Sequence, residues 1–488
     1  MQGKLKIYNT HSKELEVFEP INAPFVGMYV CGPTVYGHPH LGHSRGPIFF
    51  DFVFRYLTYL GYKVRYVKNI TDVGHLLNDA DAGDDKIQTQ AKLDKLEPME
   101  VVQKYTESYH DALRKLNLNP PSIEPRATGH ILEQIDMVKK IIENGFAYES
   151  NGSVYFDVLK YNESHDYGEL SGRKLEDLIA GSSARSLEGQ EEKRNPNDFA
   201  LWKKAEANHL MKWESPWGMG FPGWHIECSA MSSKYLGEEF DIHGGGLDLL
   251  FPHHESEIAQ SKACNGRQPA KYWMHNNMIT INGQKMAKSL NNGILMHDFY
   301  SGNHPLLEKG YAPMTLKFFQ YQTHYRSTMD FSNEALQASE KGLARLFNGI
   351  ETLQGIKPTN SGSFNVEEWK NACFNAINDD FNTPILIAHL FEAIKYINSV
   401  NDGHTTMDQN TLIALQEMLP LFVGDLLGLV NDKEEGNAEA DLMQLIIDLR
   451  NGAKENKDYA TSDKIRDALN EIGFTIKDGK EGTTYSKN

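Results

Sequence analysis

The pattern of apolar and polar positions predicts a strand, a helix and a second strand near the start of the chain. Residues 24–31 (PFVGMYVC) are a short apolar run followed by a turn rich in glycine and proline. Apolar residues then recur with helical spacing from Phe49 to Leu60, and Gly61 marks the helix end. Residues 63–71 (KVRYVKNIT) alternate as in a strand. This order predicts a βαβ unit in a doubly wound parallel sheet, which binds ligands at the carboxyl ends of its strands.

The pattern of apolar and polar residues changes between about residues 120 and 220. Residues 131–145 (ILEQIDMVKKIIENG) have the apolar spacing of a helix, and residues 153–161 (SVYFDVLKY) are typical of a strand. A polar segment follows, and material resembling the first βαβ unit resumes at residue 240 (FDIHGGGLDL). We therefore predict that residues 120–220 are an insertion into the first domain.

From about residue 310 onward the apolar positions follow a helical period. Residues 332–354 and 385–400 are amphipathic and predict a helical bundle. The acidic, glycine-containing residues 431–441 (NDKEEGNAEAD) predict a linker, followed by a small C-terminal unit. The expected fold class is α/β, with a Rossmann-like doubly wound parallel-sheet domain that carries an insertion. A helical bundle and a small C-terminal domain follow it.

Length and composition restrict the class of protein. A chain of 488 residues is too long for one hydrophobic core, so about two to four domains are expected. With 40% hydrophobic and 24% charged residues, the composition is that of a globular protein. No stretch approaches the roughly 18 consecutive apolar residues of a membrane helix, and the start MQGKLKIYNT lacks the apolar core of a signal peptide. We expect a cytoplasmic protein without a membrane partner.

Net charge and cysteine content bear on the kind of partner and on the redox state of the thiols. The net charge of −17 argues mildly against a nucleic-acid partner, although a local basic patch can override the average. The four cysteines are too few and too scattered for a disulfide framework, so they are expected to be reduced thiols. Among them, Cys264 is a weak candidate for a metal ligand, and Cys373 is expected to be buried packing.

The segment HPHLGHSRG, at the start of the predicted helix, fits a phosphate site. A helix that begins directly after a strand points unpaired N–H groups and the positive end of its dipole at the crevice. His40 and His43 lie three positions apart there, so both rings can donate to phosphate oxygens. Gly37 and Gly42 would keep the backbone close to the ligand. Capping or surface histidines are an equally common reason for this spacing.

Two further loops fit a nucleotide site. In INGQKMAKSLNNG, Lys285 and Lys288 lie in a loop bounded by glycines, where two ammonium groups can stabilise a departing pyrophosphate. The alternative is a solvated basic loop. The segment HGGGLDL offers a glycine turn, with Gly244 and Gly246, on which an adenine ring can pack, and Asp248 is available to a ribose hydroxyl. The alternative here is an ordinary tight turn.

The segment PHHESE predicts metal ligands on one face of a helix. A proline at the first helical position would put His253 and Glu257 one turn apart, which suits a zinc ion. Two more ligands are needed, and Cys31 and Cys228 offer soft sulfur, although a lone cysteine is more often a small buried hydrophobe. His254 is the main competing ligand.

The motifs also resemble those of a known family. HLGH and KMAKS are similar, in order and spacing, to the HIGH and KMSKS signatures of class I aminoacyl-tRNA synthetases, with Leu41 in place of isoleucine and Ala287 in place of serine. The whole chain resembles the cysteinyl-tRNA synthetase family. The resemblance implies that Trp224 closes over the bound amino acid, the alternative being a core tryptophan. It implies one Zn²⁺ per chain, held by Cys31, Cys228, His253 and Glu257.

The resemblance implies an activity and its partners. A monomer would activate L-cysteine with ATP and Mg²⁺ to cysteinyl-adenylate and pass it to tRNA(Cys). The implied substrate-binding residues are Trp224, Thr71 and Cys31. The implied catalytic residues are His40, His43, Lys285 and Lys288. The implied ATP-binding residues are His40, Gly42, His43, Gly244, Gly246, Asp248 and Lys288.

The resemblance also implies roles for the segments of the chain. Basic residues on a helical pattern in the tail offer local phosphate contacts, and they are Arg450, Lys454, Lys457, Lys464 and Arg466. The predicted segments are residues 1–119 and 221–300 for the two halves of the catalytic domain, 120–220 for the connective insertion, 301–345 for a stem-contact region, 346–432 for the helical tRNA-binding bundle and 440–488 for an anticodon-binding unit.

Two other functions are compatible with parts of the pattern. A small-molecule cysteine ligase would use the same adenylate chemistry but would not need the long helical extension after KMAKS. A non-catalytic RNA-binding or zinc-sensing relative would not need the intact HLGH, KMAKS and four-ligand set. The role of the loop at residues 73–83, which contains Asp79 and Asp81, stays open.

Overall fold

The computed structural model describes residues 3–73, 86–177, 192–207, 209–286, 292–479 and 482–487. The chain forms two compact units, Met1–Leu429 and Val430–Asn488. The strands are β1 (Lys6–Asn9), β2 (Glu14–Val17), β3 (Phe25–Val30), β4 (Lys63–Lys68), β5 (Ala147–Ser150), β6 (Ser153–Phe156), β7 (Phe199–Lys204), β8 (Gly220–Pro222), β9 (Phe240–Gly246), β10 (Ala270–Asn276), β11 (Ile279–Ile281), β12 (Gln284–Lys285), β13 (Met329–Phe331), β14 (Phe474–Gly479) and β15 (Gly482–Lys487).

The helices alternate with these strands in the first half of the chain and dominate the second half. They are α1 (Gly42–Tyr59), α2 (Lys86–Asp94), α3 (Pro98–Lys115), α4 (Ile131–Glu143), α5 (Val158–Asn162), α6 (Ile226–Leu236), α7 (Glu255–Asn265), α8 (Met296–Ser301), α9 (Pro313–Tyr321), α10 (Asn333–Gly355), α11 (Val366–Asn378), α12 (Thr383–Asn401), α13 (Gln409–Pro420), α14 (Asp432–Glu455) and α15 (Tyr459–Glu471). Shorter helical turns cover Ala127–His130, Leu247–Leu249, Leu250–His254 and Leu421–Leu426.

The central sheet has four parallel strands in the order β10-β9-β3-β4. Strand β3 continues through α1 to its neighbour β4, which confirms the predicted βαβ unit. On its other side β3 pairs with β9, which comes much later in the chain. The strand order therefore reverses between β3 and β9, and their carboxyl ends flank the crevice in which sheets of this type bind ligands.

Helix α1 packs on this sheet through one apolar face. Phe50, Val53 and Leu57, which recur every three or four residues, are fully buried. Burying each such side chain contributes about 1.5–3 kcal/mol, so packing holds the helix start in place. The helix ends as predicted before Gly61, whose φ of +90° suits glycine.

Between α4 and α6 lies a second sheet, antiparallel, in the order β5-β6-β7-β8. The strand predicted over residues 153–161 is wrong in its second half, because only Ser153–Phe156 is strand. Asp157 caps a short helix there by accepting a hydrogen bond from the backbone N–H of Lys160. This side-chain acceptor favours a helix start over a continued strand.

Between residue 310 and the end of the first unit the chain is helical, as predicted, apart from strand β13. Strand β13 pairs in parallel with β11, which lies just before the KMAKS segment. Helices α10 to α13 bury aromatic and aliphatic side chains against each other, including Trp369 and Phe374. The ring of Phe422 meets both of them nearly edge-on.

The second unit consists of α14, α15 and the antiparallel pair β14–β15. The linker predicted at residues 431–441 is wrong, because helix α14 begins at Asp432. Glutamate and alanine are strong helix formers, and they outweigh the single glycine of this segment. Arg450, predicted to meet phosphates, is buried in this unit. Throughout the described ranges of both units, no helix combines the length and the apolar character that crossing a bilayer requires.

Candidate metal and nucleotide site

The carboxyl end of β3 and the helices α6 and α7 bring four potential metal ligands together. Cys31 Sγ lies 3.9 Å from Cys228 Sγ and 3.6 Å from Glu257 Oε1. His253 Nε2 lies 3.1 Å from the same Glu257 oxygen. One donor atom from each of the four side chains lies within 4.8 Å of all the others. Two sulfurs with one nitrogen and one oxygen are a donor set that zinc accepts.

A second donor group overlaps the first. Cys31, His243, His254 and Glu257 also lie within 4.8 Å of one another, and His254 Nε2 is 3.3 Å from Cys31 Sγ. This group has one sulfur instead of two. His254 is completely buried, whereas His253 lies on the wall of a cavity together with both cysteines. The first group therefore has three of its four residues on the described cavity wall, and the second group has one.

The backbone before α7 has an extended residue directly ahead of the predicted helix start. Within Leu250–His254, the residue with non-helical dihedral angles is Phe251 (φ −140°, ψ 132°). Helical backbone therefore begins at Pro252, as predicted, and continues into the regular α-helix at Glu255. His253 lies four positions before Glu257 on the same face and reaches it.

Two buried histidines contact the candidate ligands and a third contacts the competing histidine, and none of the three was predicted. His225 Nδ1 lies 2.8 Å from His253 Nδ1, and His243 Nε2 lies 2.9 Å from Glu257 Oε2. His275 hydrogen-bonds to the competing histidine, His254. Such partners fix ring orientation and ligand basicity. The available signal was a histidine within each of three apolar segments, GWHIEC, FDIHGGG and YWMHNN.

Electrostatics of the cluster favour a cation. Burial raises the pKa of the Cys31 thiol, and its hydrogen bond to Cys228 adds to this. Burial acts the same way on Cys228, but hydrogen bonds from Cys31 and His253 outweigh it and lower the pKa of Cys228 to about 6. For Glu257, His243 and His253 outweigh burial and lower the pKa to about 2. Burial opposes a charge on His253, but Cys228 and Glu257 raise its pKa, so a proton there occupies the place that a metal ion would take.

The cluster opens onto a cavity of about 670 Å³ at the carboxyl ends of β3 and β9. Lys68 also lines it, buried, with its pKa lowered to about 8 by burial in spite of the nearby Glu124 and Asp51 carboxylates. Lys288 lies outside the described residues. The predicted site residues that line the cavity are Cys31, His40, Gly42, His43, Thr71, Trp224, Cys228, Gly246, Asp248, His253 and Lys285.

The two histidines of HLGH form a stacked pair at the start of α1. Their ring centroids are 3.8 Å apart. His43 Nδ1 accepts from the backbone N–H of His40, and His40 Nδ1 accepts from that of Gly42, both at 3.1 Å. In a neutral ring the proton must then sit on Nε2, so each imidazole keeps an Nε2–H donor. A Cβ at Gly42 would lie 2.9 Å from the His40 ring, so only glycine allows this approach.

The glycines of HGGGLDL lie in a strand and not in the predicted turn. Gly244 to Gly246 end strand β9, and the turn follows at Leu247–Leu249. A Cβ at Gly244 would lie 2.2 Å from the ring of Phe50, so packing of α1 requires this glycine, and a contact with ATP finds no support there. Gly246 and Asp248 do line the cavity.

The remaining predicted residues divide between cavity and core. Trp224 lines the cavity, with its ring centroid 5.1 Å from that of His253, so it is placed beside the ligand cluster and not in a closed core. Cys373 is fully buried in α11, as expected. Cys264 packs among apolar residues and belongs to neither donor group of the described residues.

Comparison with known proteins gives two matching family models. The model described as the tRNA synthetases class I (C) catalytic domain matches residues 17–341. The model described as the DALR domain matches residues 374–431.

Solved structures share the fold at low sequence identity. A methionyl-tRNA synthetase of Mycobacterium tuberculosis bound by methionyl-adenylate superposes with a TM-score of 0.57 at 12% identity, over 83% of this chain and 92% of that chain. LeuRS of Agrobacterium radiobacter, in a ternary complex with tRNA and LeuAMS, gives a TM-score of 0.57 at 11% identity, over 84% of each chain. These likenesses support the α/β class I fold.

Curated relatives match at much higher identity. Cysteine–tRNA ligases of Bacteroides thetaiotaomicron and Bacteroides fragilis are each 57% identical over 100% of both chains. The cysteine–tRNA ligase of Porphyromonas gingivalis is also 57% identical over the full length of both chains. The chain therefore belongs to the cysteine–tRNA ligase family of class I aminoacyl-tRNA synthetases.

Proposed function

We propose that the chain activates L-cysteine with ATP to cysteinyl-adenylate and transfers the cysteinyl group to tRNA(Cys). The observation that carries this proposal is the shared cavity. The donor set of Cys31, Cys228, His253 and Glu257 lies at the same crevice as the HLGH histidines. A thiol-binding centre beside a phosphate-binding helix start is the arrangement that activating cysteine requires.

The metal site would select cysteine by binding the thiol of its side chain. Cys31, Cys228, His253 and Glu257 would hold one zinc ion, with His253 preferred to His254 because it reaches the cavity. A bound zinc supplies an open position that takes a thiolate far better than a hydroxyl. Shape alone discriminates weakly, since one methylene is worth about 1–3 kcal/mol. Trp224 would close over the bound side chain.

The nucleotide would lie at the other end of the cavity. The Nε2–H groups of His40 and His43 and the first amides of α1 offer hydrogen bonds to phosphate oxygens, and the positive end of the helix dipole adds to them. Asp248 and Gly246 line the wall where the nucleoside would pack. Mg²⁺ would enter with ATP as part of that substrate.

The reaction itself needs little beyond positioning and charge stabilisation. The cysteine carboxylate attacks the α-phosphorus of ATP, and the bond to pyrophosphate breaks. A tRNA ribose hydroxyl then attacks the acyl carbon, and AMP leaves. Lys285 and Lys288 would stabilise the charge that develops on pyrophosphate. Asn292 supports this loop by donating its side-chain N–H to the carbonyl oxygen of Lys285 at 3.1 Å.

The helical half is the proposed tRNA-binding part. The match to the DALR domain and the full-length identity to cysteine–tRNA ligases support transfer to tRNA over transfer to a small amine. A monomeric state, a cytoplasmic location and the domain boundaries given above stay predictions.

Cys228→Ser tests the proposed metal and substrate site. Because serine removes one of two soft donors, we expect bound zinc to fall below half of the wild-type content and the KM for cysteine to rise at least tenfold. Metal analysis and cysteine-dependent ATP–pyrophosphate exchange measure both. Cys264→Ser, outside the donor groups, is the matched control and should keep both values. Full zinc content in Cys228→Ser would show that the ligand set is wrong.

Charging of tRNA(Cys) tests the second half of the proposal. Purified wild-type protein should esterify transcribed tRNA(Cys) with cysteine and not with serine. Normal pyrophosphate exchange without any tRNA charging would indicate the small-molecule ligase instead.

A further inference from the structure

The buried carboxyl group of Glu227, next to the candidate metal ligand Cys228, has one hydrogen-bond partner among the described residues, the hydroxyl of Thr71. Glu227 lies in the first turn of α6, directly before Cys228, and is 2% exposed. Its Oε1 accepts a hydrogen bond from the Thr71 hydroxyl at 2.9 Å. Among the described residues, its Oε2 has no hydrogen-bond partner. Burying a carboxyl for one hydrogen bond is unfavourable, so that bond calls for an explanation beyond stability.

The hydrogen bonds around Thr71 have a fixed direction. The backbone N–H of Gly32 donates to Asn69 Oδ1 at 2.9 Å. The other side-chain atom of Asn69 is therefore the amide nitrogen, which donates to Thr71 Oγ1 at 3.1 Å. When the carboxyl is ionised, or carries its proton on Oε2, Glu227 Oε1 is an acceptor and the single hydroxyl proton of Thr71 points at it.

The direction of these hydrogen bonds leaves the Thr71 oxygen with one lone pair that can still accept. A hydroxyl oxygen has two lone pairs, and Asn69 occupies one of them. Thr71 lines the cavity, whereas Glu227 is not among its described lining residues. The hydroxyl can thus offer a lone pair, and not a proton, to a ligand in the cavity.

The series of hydrogen bonds from Gly32 to Glu227 begins and ends at residues next to candidate metal ligands in the sequence. Gly32 follows Cys31, and Glu227 precedes Cys228. A cysteine whose sulfur is held by this cluster carries its ammonium group only two carbon atoms away from the sulfur. An acceptor for that group must lie near the cluster in the same cavity, and Thr71 lines this cavity together with Cys31, Cys228 and His253.

We propose that Glu227 is a positioning residue that holds the Thr71 hydroxyl as an acceptor for the α-ammonium group of the substrate. The proposal rests on cysteine as the proposed substrate. Glu227 touches neither the substrate nor the metal in this scheme and acts through Thr71. It adds selection for an α-amino thiol to the selection for sulfur, so thiols without an amino group are rejected.

Glu227→Leu tests the proposal because leucine keeps the volume and removes the acceptor. The Thr71 proton then becomes free to face the ammonium group. We expect the KM for cysteine in ATP–pyrophosphate exchange to rise about ten- to a hundredfold, which is the loss of one hydrogen bond to a charged group. The KM for ATP should change less than twofold, and zinc content should equal that of the wild type. Glu227→Gln keeps an acceptor oxygen for Thr71 and should restore most of the affinity.

Inhibition by 3-mercaptopropanoic acid, which is cysteine without its amino group, separates positioning from structure. Its inhibition constant should be the same in wild type and Glu227→Leu, so that the preference for cysteine over this analogue shrinks by the same ten- to hundredfold. Equal weakening of both ligands, or loss of zinc, would overturn the proposal, because Glu227 would then act on the metal site. A wild-type protein without cysteine-dependent exchange would instead contradict the proposed function.

Variants of Thr71 keep the proposal testable if Glu227→Leu does not fold. Thr71→Val removes the hydroxyl at constant shape and should reproduce the selective rise in the KM for cysteine, whereas Thr71→Ser should not. Adding Glu227→Leu to Thr71→Val should cause no further rise, since both changes remove the same interaction. Additive effects of the two substitutions would overturn the proposal.

Discussion

Gly244→Ala tests how the HLGH helix is fixed on the sheet. An ideal Cβ at Gly244 would lie 2.2 Å from Cζ and 2.3 Å from Cε1 of Phe50. Non-bonded carbon atoms normally stay about 3.5–4.0 Å apart, so the ring or the strand must move by more than about 1 Å. Phe50 is fully buried and has no open space to move into. Overpacking of this kind costs about 1–3 kcal/mol, and we expect a loss near 3 kcal/mol in the free energy of unfolding.

The same substitution should also disturb the metal site. Gly244 pairs with Val30 across the sheet, and its carbonyl oxygen accepts from the backbone N–H of Cys31 at 3.0 Å. A displaced β9 would therefore carry Cys31 away from its partners. Urea unfolding followed by circular dichroism gives the loss in stability, and metal analysis of the folded protein gives the loss of zinc. Gly129→Ala is the control, because a Cβ there would meet no atom within 4 Å, and it should change stability by less than about 0.5 kcal/mol.

A double variant decides whether the Phe50 ring is responsible. In a Phe50→Leu background the ring edge is gone, so adding Gly244→Ala should cost less than about 1 kcal/mol. If Gly244→Ala unfolds at the wild-type urea concentration, or costs as much in the Phe50→Leu background, the reasoning from this contact is refuted.

Three further predictions concern other parts of the molecule. Arg45→Met should lower the free energy of unfolding by about 3 kcal/mol in urea titrations, because the buried guanidinium donates to three backbone carbonyls. Glu169→Gln should cost about 1 kcal/mol at pH 7, because Lys262 contacts both carboxylate oxygens at 2.6 and 2.7 Å. Burial opposes it, but the nearby His11 and the hydrogen bonds from Lys262 lower the pKa of Glu169 from 4.5, so this stability exists above pH 4.5 and is lost as pH falls through the lowered pKa. Thermal unfolding of both proteins should therefore differ at pH 7 and converge in acid. Lys288→Ala should slow adenylate formation in rapid-quench assays with an unchanged unfolding curve, and normal kinetics would remove its assigned role.

The parts of the fold that were predictable depend on local periodicity. The predicted first strand, helix and second strand match β3, α1 and β4 except at their ends, because one face of each element is apolar at the period of that element. The strand predicted over 153–161 failed where Asp157 offered a helix cap, and the linker at 431–441 failed because composition alone suggested it. In both places a local helix signal was present, an Asp cap in the first and strong helix formers in the second. The prediction gave more weight to the overall composition of the segment.

The candidate site was predictable only where the residue type itself carries the chemistry. Thiols and a histidine–glutamate pair one turn apart indicate a metal, whatever their distance in sequence. The supporting histidines His225, His243 and His275 could not be assigned, since each is defined by the atom it faces and not by its neighbours in the chain. The need for glycine at position 244 could not be predicted either. The Phe50 ring that excludes a side chain there belongs to a helix almost two hundred residues earlier in the sequence.

The register of β3 against β9 explains why the candidate metal ligands and the HLGH helix start share one cavity. Strand β3 ends at Val30, so the next residue, Cys31, and the turn into α1 leave the sheet from the same edge. The bond from Cys31 N–H to the Gly244 carbonyl fixes that edge against β9, whose far end leads into the segment with His253 and Glu257. A shift of one residue between these strands would turn the thiol to the opposite face of the sheet. The position of Cys31 relative to the HLGH helix start is therefore set by backbone pairing.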